Sequence, residues 1–137
     1  MTEALPVLVD SNIIIDIVRK DPHWFEWSID TLTGIEKARV NPIIYAEICY
    51  QETSAEEVDH ILQVLRIGYE ELPRQALYLA LQAFREYRKR GGNKTAPLPD
   101  FFIGAHAAAS GVPLLTRDVK RYQSYFPTVD IICPYKS

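Results

Sequence analysis

The sequence predicts a three-layer α/β domain with helices on both faces of a mostly parallel sheet. Short apolar runs, typical of buried strands, alternate along the chain with longer segments of helical periodicity. The 137 residues are long enough for one substantial core, and no repeat, low-complexity tract or long linker divides them, so residues 1–137 are expected to form a single domain. A hydrophobic content of 47% with 24% charged residues is ordinary for a globular protein.

The first predicted strand, residues 6–10, is a continuous apolar run that ends on an acid, Asp10. Ser11 and Asn12 are good helix N-caps, so a helix is expected to start there. A second helix is predicted over about residues 23–37. The residues of the first helix expected to point inward are Ile14, Ile17 and Val18.

In the middle of the chain, the sequence predicts a strand over residues 39–44, although Pro42 argues against a central place in a sheet. A short helix over about 44–51 carries Glu47. Residues 54–57, Ser-Ala-Glu-Glu, have the spacing of a capping box and open the next helix. Its predicted inward face is Val58, Ile61, Leu62 and Leu65.

The second half continues the alternation with a brief strand at 69–72 and the longest helix at 75–90, stopped by Gly91, Gly92 and Asn93. A helix from Pro99 to Ser110 ends at Gly111. The last three predicted elements are a strand at 112–116, a helix at 119–125 and a strand at 130–133. The inward residues predicted for the longest helix are Leu77, Leu81 and Phe84.

The net charge of −3 conceals an uneven distribution of charge along the chain. Residues 1–84 hold 14 acids and 6 bases, whereas residues 85–137 hold 4 acids and 9 bases. A basic region of this kind attracts polyanions, and it is equally compatible with helix faces that are merely solvated.

The sequence begins without the basic start and apolar stretch of a secretory signal, and its apolar runs are shorter than the roughly 18 residues that a membrane span requires. Cys49 and Cys133 have no metal-like spacing. We therefore expect no membrane association, reduced thiols and a cytoplasmic location.

Four acids share one kind of position, at the end of an element and among core-like residues. Asp10 ends an apolar strand, Asp118 follows another by two residues, Asp100 lies in the first turn of an apolar helix, and Glu47 follows a strand within "IIYAEI". The ligand crevice of a parallel sheet lies beyond the carboxyl ends of its strands. Taken singly, each acid has a structural explanation, as a helix cap, a helix-dipole partner or a surface residue.

Gathering these acids would be costly. Two carboxylates about 5 Å apart repel by roughly 3 kcal/mol at an effective dielectric constant near 20. The whole stability of a domain is about 5–15 kcal/mol. Protons, bases or divalent cations must therefore neutralise such a cluster. Carboxylate oxygens suit Mg²⁺ or Mn²⁺, and the lack of accompanying His or Cys disfavours zinc.

Four segments, in this order, resemble the PIN domain and, more narrowly, the VapC-type ribonuclease toxins of toxin–antitoxin pairs. They are "LVDSNIIID", "YAEI", "LPDFFIGAHA" and "LLTRDVKRYQSYFP". The resemblance implies an α/β/α fold with a central parallel sheet of about five strands. It also implies an endoribonuclease dependent on Mg²⁺ or Mn²⁺, a homodimer, and inhibition by a cognate antitoxin protein.

The resemblance also assigns roles to individual residues. The four family acids match Asp10, Glu47, Asp100 and Asp118, which are expected to be catalytic and to hold the metal, with Asp10 central and Glu47 binding directly or through water. The small polar residue near the first acid matches Ser11 or Asn12, and the hydroxyl residue before the fourth acid matches Thr116. These three are expected to orient the carboxylates.

An RNA substrate requires positive side chains around the acids. The candidates are Arg117, Lys120 and Arg121, which flank Asp118, together with Arg85 and Arg88 on the longest helix. A solvated helix end explains the bases of the long helix equally well. The aromatic group of Trp24, Phe25 and Trp27 is either core or a groove for an antitoxin helix or a second protomer.

Three other readings of the acids remain. An aspartyl-phosphate receiver domain would place paired acids after the first strand, where this chain has Ser11 and Asn12. A haloacid-dehalogenase-like phosphatase would require an Asp-x-Asp pair, which Asn12 breaks. A non-catalytic PIN-fold module that binds RNA or protein would need no cleavage chemistry.

Overall fold

In the computed structural model, which describes residues 4–134, five short strands alternate with helices. The strands are β1 (Val7–Val9), β2 (Ala38–Val40), β3 (Ile67–Tyr69), β4 (Leu114–Leu115) and β5 (Ile131–Ile132). The helices are α1 (Ser11–Val18), α2 (Phe25–Thr33), α3 (Pro42–Gln51), α4 (Ala55–Val64), α5 (Arg74–Lys89), α6 (Pro99–Ser110) and α7 (Lys120–Gln123).

The five strands form one sheet in the order β3-β2-β1-β4-β5, and each pairing is parallel. The chain builds outward from β1 to β3, then crosses to the other side of β1 to add β4 and β5. Because parallel crossovers are right-handed, this reversal puts α1–α4 on one face and α5–α7 on the other. The predicted α/β class, parallel sheet and layered arrangement are confirmed.

The reversal of strand order creates a crevice between the carboxyl ends of β1 and β4, which is where parallel sheets bind ligands. The backbone N–H of Asp10 donates to the carbonyl of Leu115 at 2.9 Å, so the two strand ends meet there. Asp10 directly follows β1, and Thr116 directly follows β4. The topology therefore brings the first and fourth predicted acidic segments together.

Helix caps explain where the site-bearing helices begin. Asp10 caps α1 by accepting from the backbone N–H of Ser11. Asn41 caps α3 by accepting from the N–H of Ile44, and Pro42 occupies the first turn, where its missing N–H is harmless. The predicted strand at 39–44 was therefore too long, because Pro42 starts a helix.

The buried face of α5 differs from the prediction. Leu77 and Leu81 are 42% and 38% exposed, and the helix instead buries the alanine stripe Ala76, Ala80 and Ala83 against α6. Both stripes have the same i, i+4, i+7 spacing, one residue apart, so periodicity alone cannot choose between them. Small side chains allow the two helices to approach closely, and Phe84 packs partly buried at the edge of this cluster.

Other boundaries differ by a few residues. The strand predicted at 69–72 lies at Ile67–Tyr69, and the predicted helix at 23–37 is shorter, at Phe25–Thr33. Val18, predicted to be inward, is 38% exposed. Gly111 does end α6 as predicted, with a φ of 64° that glycine adopts without strain. Within residues 4–134, no helix combines the length and the apolar character needed to cross a bilayer.

Candidate active site

Asp10 is the buried centre of the candidate site. It is 3% exposed. Its Oδ2 accepts hydrogen bonds from Thr116 Oγ1 at 2.8 Å, Tyr122 OH at 2.8 Å and Asn12 Nδ2 at 3.4 Å. Its Oδ1 accepts from the N–H of Ser11 at 2.8 Å. Burial raises the pKa of Asp10 even though these hydrogen bonds lower it, so its charge remains incompletely compensated.

Glu47 reaches the same region from α3. Its Oε1 accepts from Ser11 Oγ at 3.0 Å, which links the helix of the glutamate to the helix that begins at Asp10. Partial burial raises the pKa of Glu47, and the negative charges of Asp10 and Asp100 raise it further. These charge effects indicate that Glu47 lies close enough to Asp10 and Asp100 for their negative charges to repel its own.

Asp100 and Asp118 approach from α6 and from the loop after β4. The backbone N–H of Asp118 donates to Thr116 Oγ1 at 3.1 Å, which fixes the turn that carries this acid. Asp100 is held by the first turn of α6. Burial raises the pKa of Asp100; Arg121 lowers it, while the charges of Asp10 and Asp118 raise it further.

One cation, Arg121, bridges two of the acids. Its Nε lies 2.7 Å from Asp118 Oδ2, and its Nη1 lies 3.5 Å from Asp100 Oδ1. Arg121 was predicted to contact RNA, but in this structure its guanidinium faces the acids of the site. Asp118 lies in the loop just before α7, and Arg121 lies in the first turn of that helix, three residues later.

The side chains predicted to orient the acids are all present at the site. Ser11 donates to Glu47, and Thr116 donates to Asp10 while it accepts from the backbone of Asp118. Asn12 donates through Nδ2 to Asp10 and to Thr116 Oγ1, the latter at 3.2 Å. Thr116 is fully buried, so its hydroxyl is held in one place between two acids.

The chemistry of these donors fits a hard divalent cation. The acids supply carboxylate oxygens only, and burial and mutual repulsion leave negative charge that Mg²⁺ or Mn²⁺ would neutralise. Within residues 4–134, however, no three His, Cys, Asp or Glu side chains are already arranged around one ion position. Metal binding would require the carboxylates to close in and Arg121 to withdraw from Asp100 and Asp118.

Comparison with known families decides the classification. A family model described as the PIN domain matches residues 7–125. The chain belongs to the PIN domain family. A comparison with curated protein sequences found no significant match.

Solved structures with this fold include VapBC and FitAcB proteins. VapBC from Salmonella typhimurium, bound to DNA, matches with a TM-score of 0.70 and 18% identity over 95% of this chain and 98% of that chain. VapBC2 from Rickettsia felis, bound to a promoter DNA fragment, matches with a TM-score of 0.69 and 17% identity over 94% of this chain and 98% of that chain. FitAcB from Neisseria gonorrhoeae matches with a TM-score of 0.68 and 20% identity over 96% of this chain and 99% of that chain. At these identities the likeness establishes the fold.

The other predicted RNA-binding cations of this PIN domain lie in different settings. Arg117 forms an ion pair with the buried Asp16, with 2.6 Å between Nε and Oδ2, and its guanidinium lies 5.6 Å from the ring centre of Trp24. Lys120 is exposed, as are Arg85 and Arg88 on α5. Arg88 donates to the carbonyl of Lys94 at 2.7 Å. The role of Arg117 thus includes tying the Asp118 loop to α1.

The aromatic group near the start of α2 is partly buried. Phe25 and Trp27 pack against the main core, and Trp24 lies under Arg117. This placement agrees with the packing interpretation of the group, and the alternative, a groove for an antitoxin helix or a second protomer, stays a prediction.

Sequence reasoning missed Tyr122. Its hydroxyl donates to Asp10 although 112 residues separate them, and the side chain is fully buried. Burial, followed by the charge of Asp10, raises the pKa of Tyr122, so the phenol stays protonated and acts as a donor. An aromatic residue in a short helix gives no sequence signal of such a contact.

A buried polar network supports the two helices that carry Glu47 and Asp100. His106 of α6 is 1% exposed, and its Nδ1 lies 3.0 Å from Asn41 Nδ2, while its Nε2 lies 3.6 Å from Glu70 Oε2. The Oδ1 of Asn41 is used by the N–H of Ile44. Asn41 Nδ2 is therefore the donor and His106 Nδ1 the acceptor, which assigns a neutral imidazole.

We expect Asn41→Ala to lower the free energy of unfolding by about 2–4 kcal/mol. The substitution removes a helix cap and leaves His106 Nδ1 buried without its donor. Ser54→Ala is the matched control, because Ser54 caps α4 through Glu57 N–H at a more exposed position and should cost only about 1 kcal/mol. Urea unfolding measures both, and equal losses would contradict the role of the His106 contact.

Proposed function

We propose that this PIN domain is a metal-dependent endoribonuclease and the toxin of a toxin–antitoxin pair. One observation carries the proposal: at the sheet edge where the strand order reverses, the charges of Asp10 and Asp100 act on Glu47, and those of Asp10 and Asp118 act on Asp100, so four acids from separate segments lie near one another. Burial there without a ligand is unfavourable for each of the three acids whose pKa is raised. A protein has reason to maintain such a cluster when the charge serves binding or catalysis.

Asp10, Asp100 and Asp118 would hold the cation, and Glu47 would bind it directly or through water. Bound Mg²⁺ or Mn²⁺ would supply neutralisation of the phosphoryl oxygens and activation of a water molecule. The protein's own contribution is orientation: Thr116 and Tyr122 fix the Asp10 carboxylate, and Ser11 fixes Glu47. Glu47 would also orient the attacking water.

The substrate strand would lie across this edge of the sheet. Lys120 and Arg117 flank the site, and Arg85 and Arg88 belong to the basic second part of the chain. Such side chains position phosphates without reading sequence. The expected products carry a 5′-phosphate and a 3′-hydroxyl, and we expect the reaction to take place in the cytoplasm.

The partner proposal rests on the solved relatives. Structures of the same fold include VapBC proteins and a toxin–antitoxin complex from Klebsiella pneumoniae. We propose a cognate antitoxin for this chain as well, and a homodimer of the toxin.

One observation favours the alternative, a PIN-fold module that binds RNA or protein without cleaving it. Arg121 already neutralises part of the cluster, and no preformed three-ligand position exists within residues 4–134. Membership of the PIN family removes the receiver-domain and phosphatase interpretations.

Metal removal separates the two functions. We expect the purified protein to cleave a mixture of structured RNAs in Mg²⁺ or Mn²⁺, and to lose at least about 100-fold in rate when EDTA is present, since the carboxylates alone cannot neutralise a phosphodiester. Gel analysis of the RNA, with readdition of Mg²⁺ to the chelated sample, measures the effect. Cleavage that persists in EDTA, or binding without any cleavage in Mg²⁺, would overturn the proposal.

A further inference from the structure

We propose that Arg121 is an internal counter-cation of the acidic site, and that its guanidinium competes with a divalent cation for Asp100 and Asp118. The inference rests on the proposed function, because it assumes that these acids are metal ligands. It adds that the guanidinium of Arg121 occupies the proposed metal site and must leave Asp100 and Asp118 before a metal ion binds there.

The geometry supports direct competition. The guanidinium contacts one oxygen of each acid, at 2.7 Å from Asp118 and 3.5 Å from Asp100. These carboxylates come from α6 and from the loop after β4, so Arg121 joins two segments that a shared cation would also join. A guanidinium and a metal ion cannot use the same oxygen lone pairs at the same time.

The charge of Arg121 acts on the whole cluster. Besides contacting Asp100 and Asp118, it lowers the pKa of Asp10 and Glu47, in opposition to the effect of burial. Arg121 thus partly performs the neutralisation that the cluster requires. This compensation lowers the electrostatic cost of placing the carboxylates near one another before any metal binds.

The side chain is able to leave without unfolding its helix. Arg121 is about half exposed, at 52%, whereas the next residue, Tyr122, is fully buried and bonded to Asp10. Tyr122 anchors α7 while the side chain of Arg121 can rotate into solvent. A displaced guanidinium at the rim would then be free to bind a phosphate of the RNA.

Competition makes a quantitative prediction about metal affinity, without reference to cleavage. Arg121→Gln should bind Mn²⁺ about tenfold or more tightly than the wild type, because the metal no longer displaces a cation. Lys120→Gln is the matched control: it removes one positive charge from the adjacent, exposed position and should change the affinity by about twofold or less. Mn²⁺ binding to the RNA-free proteins is measured by electron paramagnetic resonance or calorimetry.

A second measurement uses the unaltered protein. In the NMR spectrum of the wild type, the Arg121 Nε–H signal should be distinct and protected in EDTA, and should move toward the position of solvent-exposed arginines as Mg²⁺ is added. A signal that stays unchanged while metal binds would contradict displacement, even if Arg121→Gln does not fold.

The outcomes distinguish the two proposals. If Mn²⁺ binds wild type and Arg121→Gln with equal affinity and supports cleavage, the competition is refuted and the nuclease proposal stands. If Mn²⁺ binds to neither protein, both are refuted. If Arg121→Gln binds Mn²⁺ more tightly than the wild type while Lys120→Gln binds it with wild-type affinity, the result supports Arg121 as an internal counter-cation.

Discussion

Asp10→Asn is expected to lower the rate of RNA cleavage in Mg²⁺ by at least about 100-fold, since loss of residues that merely support a metal ligand already costs about 10–100-fold. Asp10 is the most buried of the four acids and accepts hydrogen bonds from Thr116, Tyr122 and Ser11. The amide keeps the shape of the side chain but removes the charge. Expression of the wild type should arrest bacterial growth, and expression of the variant should not.

The measurement needs a test of folding, because an amide group among these donors alters the network. The hydroxyl of Tyr122 can rotate to accept from the new amide, whereas that of Thr116 already accepts from Asn12 and from the N–H of Asp118, so circular dichroism checks that the variant is folded. Asp100→Asn is a second variant outside that network and should lose a similar amount of activity. Asp30→Asn, at an exposed position of α2, is the control and should cleave at the wild-type rate. A folded Asp10→Asn of wild-type activity would refute the assignment of Asp10.

Two general rules that need only the sequence predict that polar residues after separate strands lie near one another. A polar residue directly after an apolar run marks the carboxyl end of a strand, and the carboxyl ends of parallel strands share one edge. Asp10 and Thr116 satisfy this condition, as does Asn41 after β2. Local spacing also accounts for the caps at Asp10 and Ser54, which involve residues close in sequence.

Contacts between distant segments could not be predicted in the same way. The hydrogen bond from Tyr122 to Asp10 and the pairing of Arg117 with Asp16 depend on how α1 and the Asp118 loop meet after folding. No local pattern encodes that meeting. The contact from Arg121 to Asp118 spans only three residues but depends on the turn that leads from the loop into α7, and the interpretation of Arg121 as an RNA contact overlooked it.

The α5 helix shows the limit of hydrophobic patterning. Its leucine stripe and its alanine stripe have equal periodicity, and the larger side chains gave the stronger sequence signal. The structure buries the alanines because α6 offers its own small residue, Ala105, together with Phe101 at the contact. Close approach of two helices is a property of the pair, so the sequence of one helix does not determine its inward face.

Glu47→Gln should raise stability while it lowers activity: in EDTA at pH 7 the variant is expected to melt a few degrees higher than the wild type. The folded state raises the pKa of Glu47 above its ordinary value of 4.5, chiefly through burial and then through the charges of Asp10 and Asp100. Ionised Glu47 therefore destabilises the fold. Glutamine removes this charge and can still accept from Ser11 Oγ.

The stability gained by Glu47→Gln is expected to grow as the pH rises. Because the folded protein holds the Glu47 proton more tightly than the unfolded chain does, wild-type stability declines relative to the variant as pH rises from about 4.5 through the raised pKa. The advantage of Glu47→Gln should vanish below that window and be complete above it. Glu26→Gln, at an exposed position of α2, should show no comparable gain.

Added Mg²⁺ should reverse the order of stabilities. A cation neutralises Glu47 in the wild type and has less to neutralise in the variant, so the wild-type melting temperature should rise by more. Cleavage by Glu47→Gln should at the same time fall by about 10–100-fold, the range for groups that support a metal site. Thermal melts at several pH values, with EDTA and with Mg²⁺, test these points together. A folded Glu47→Gln that is less stable than the wild type at pH 7 in EDTA would show that the glutamate stabilises the fold, and that its charge is not held there at a cost for function.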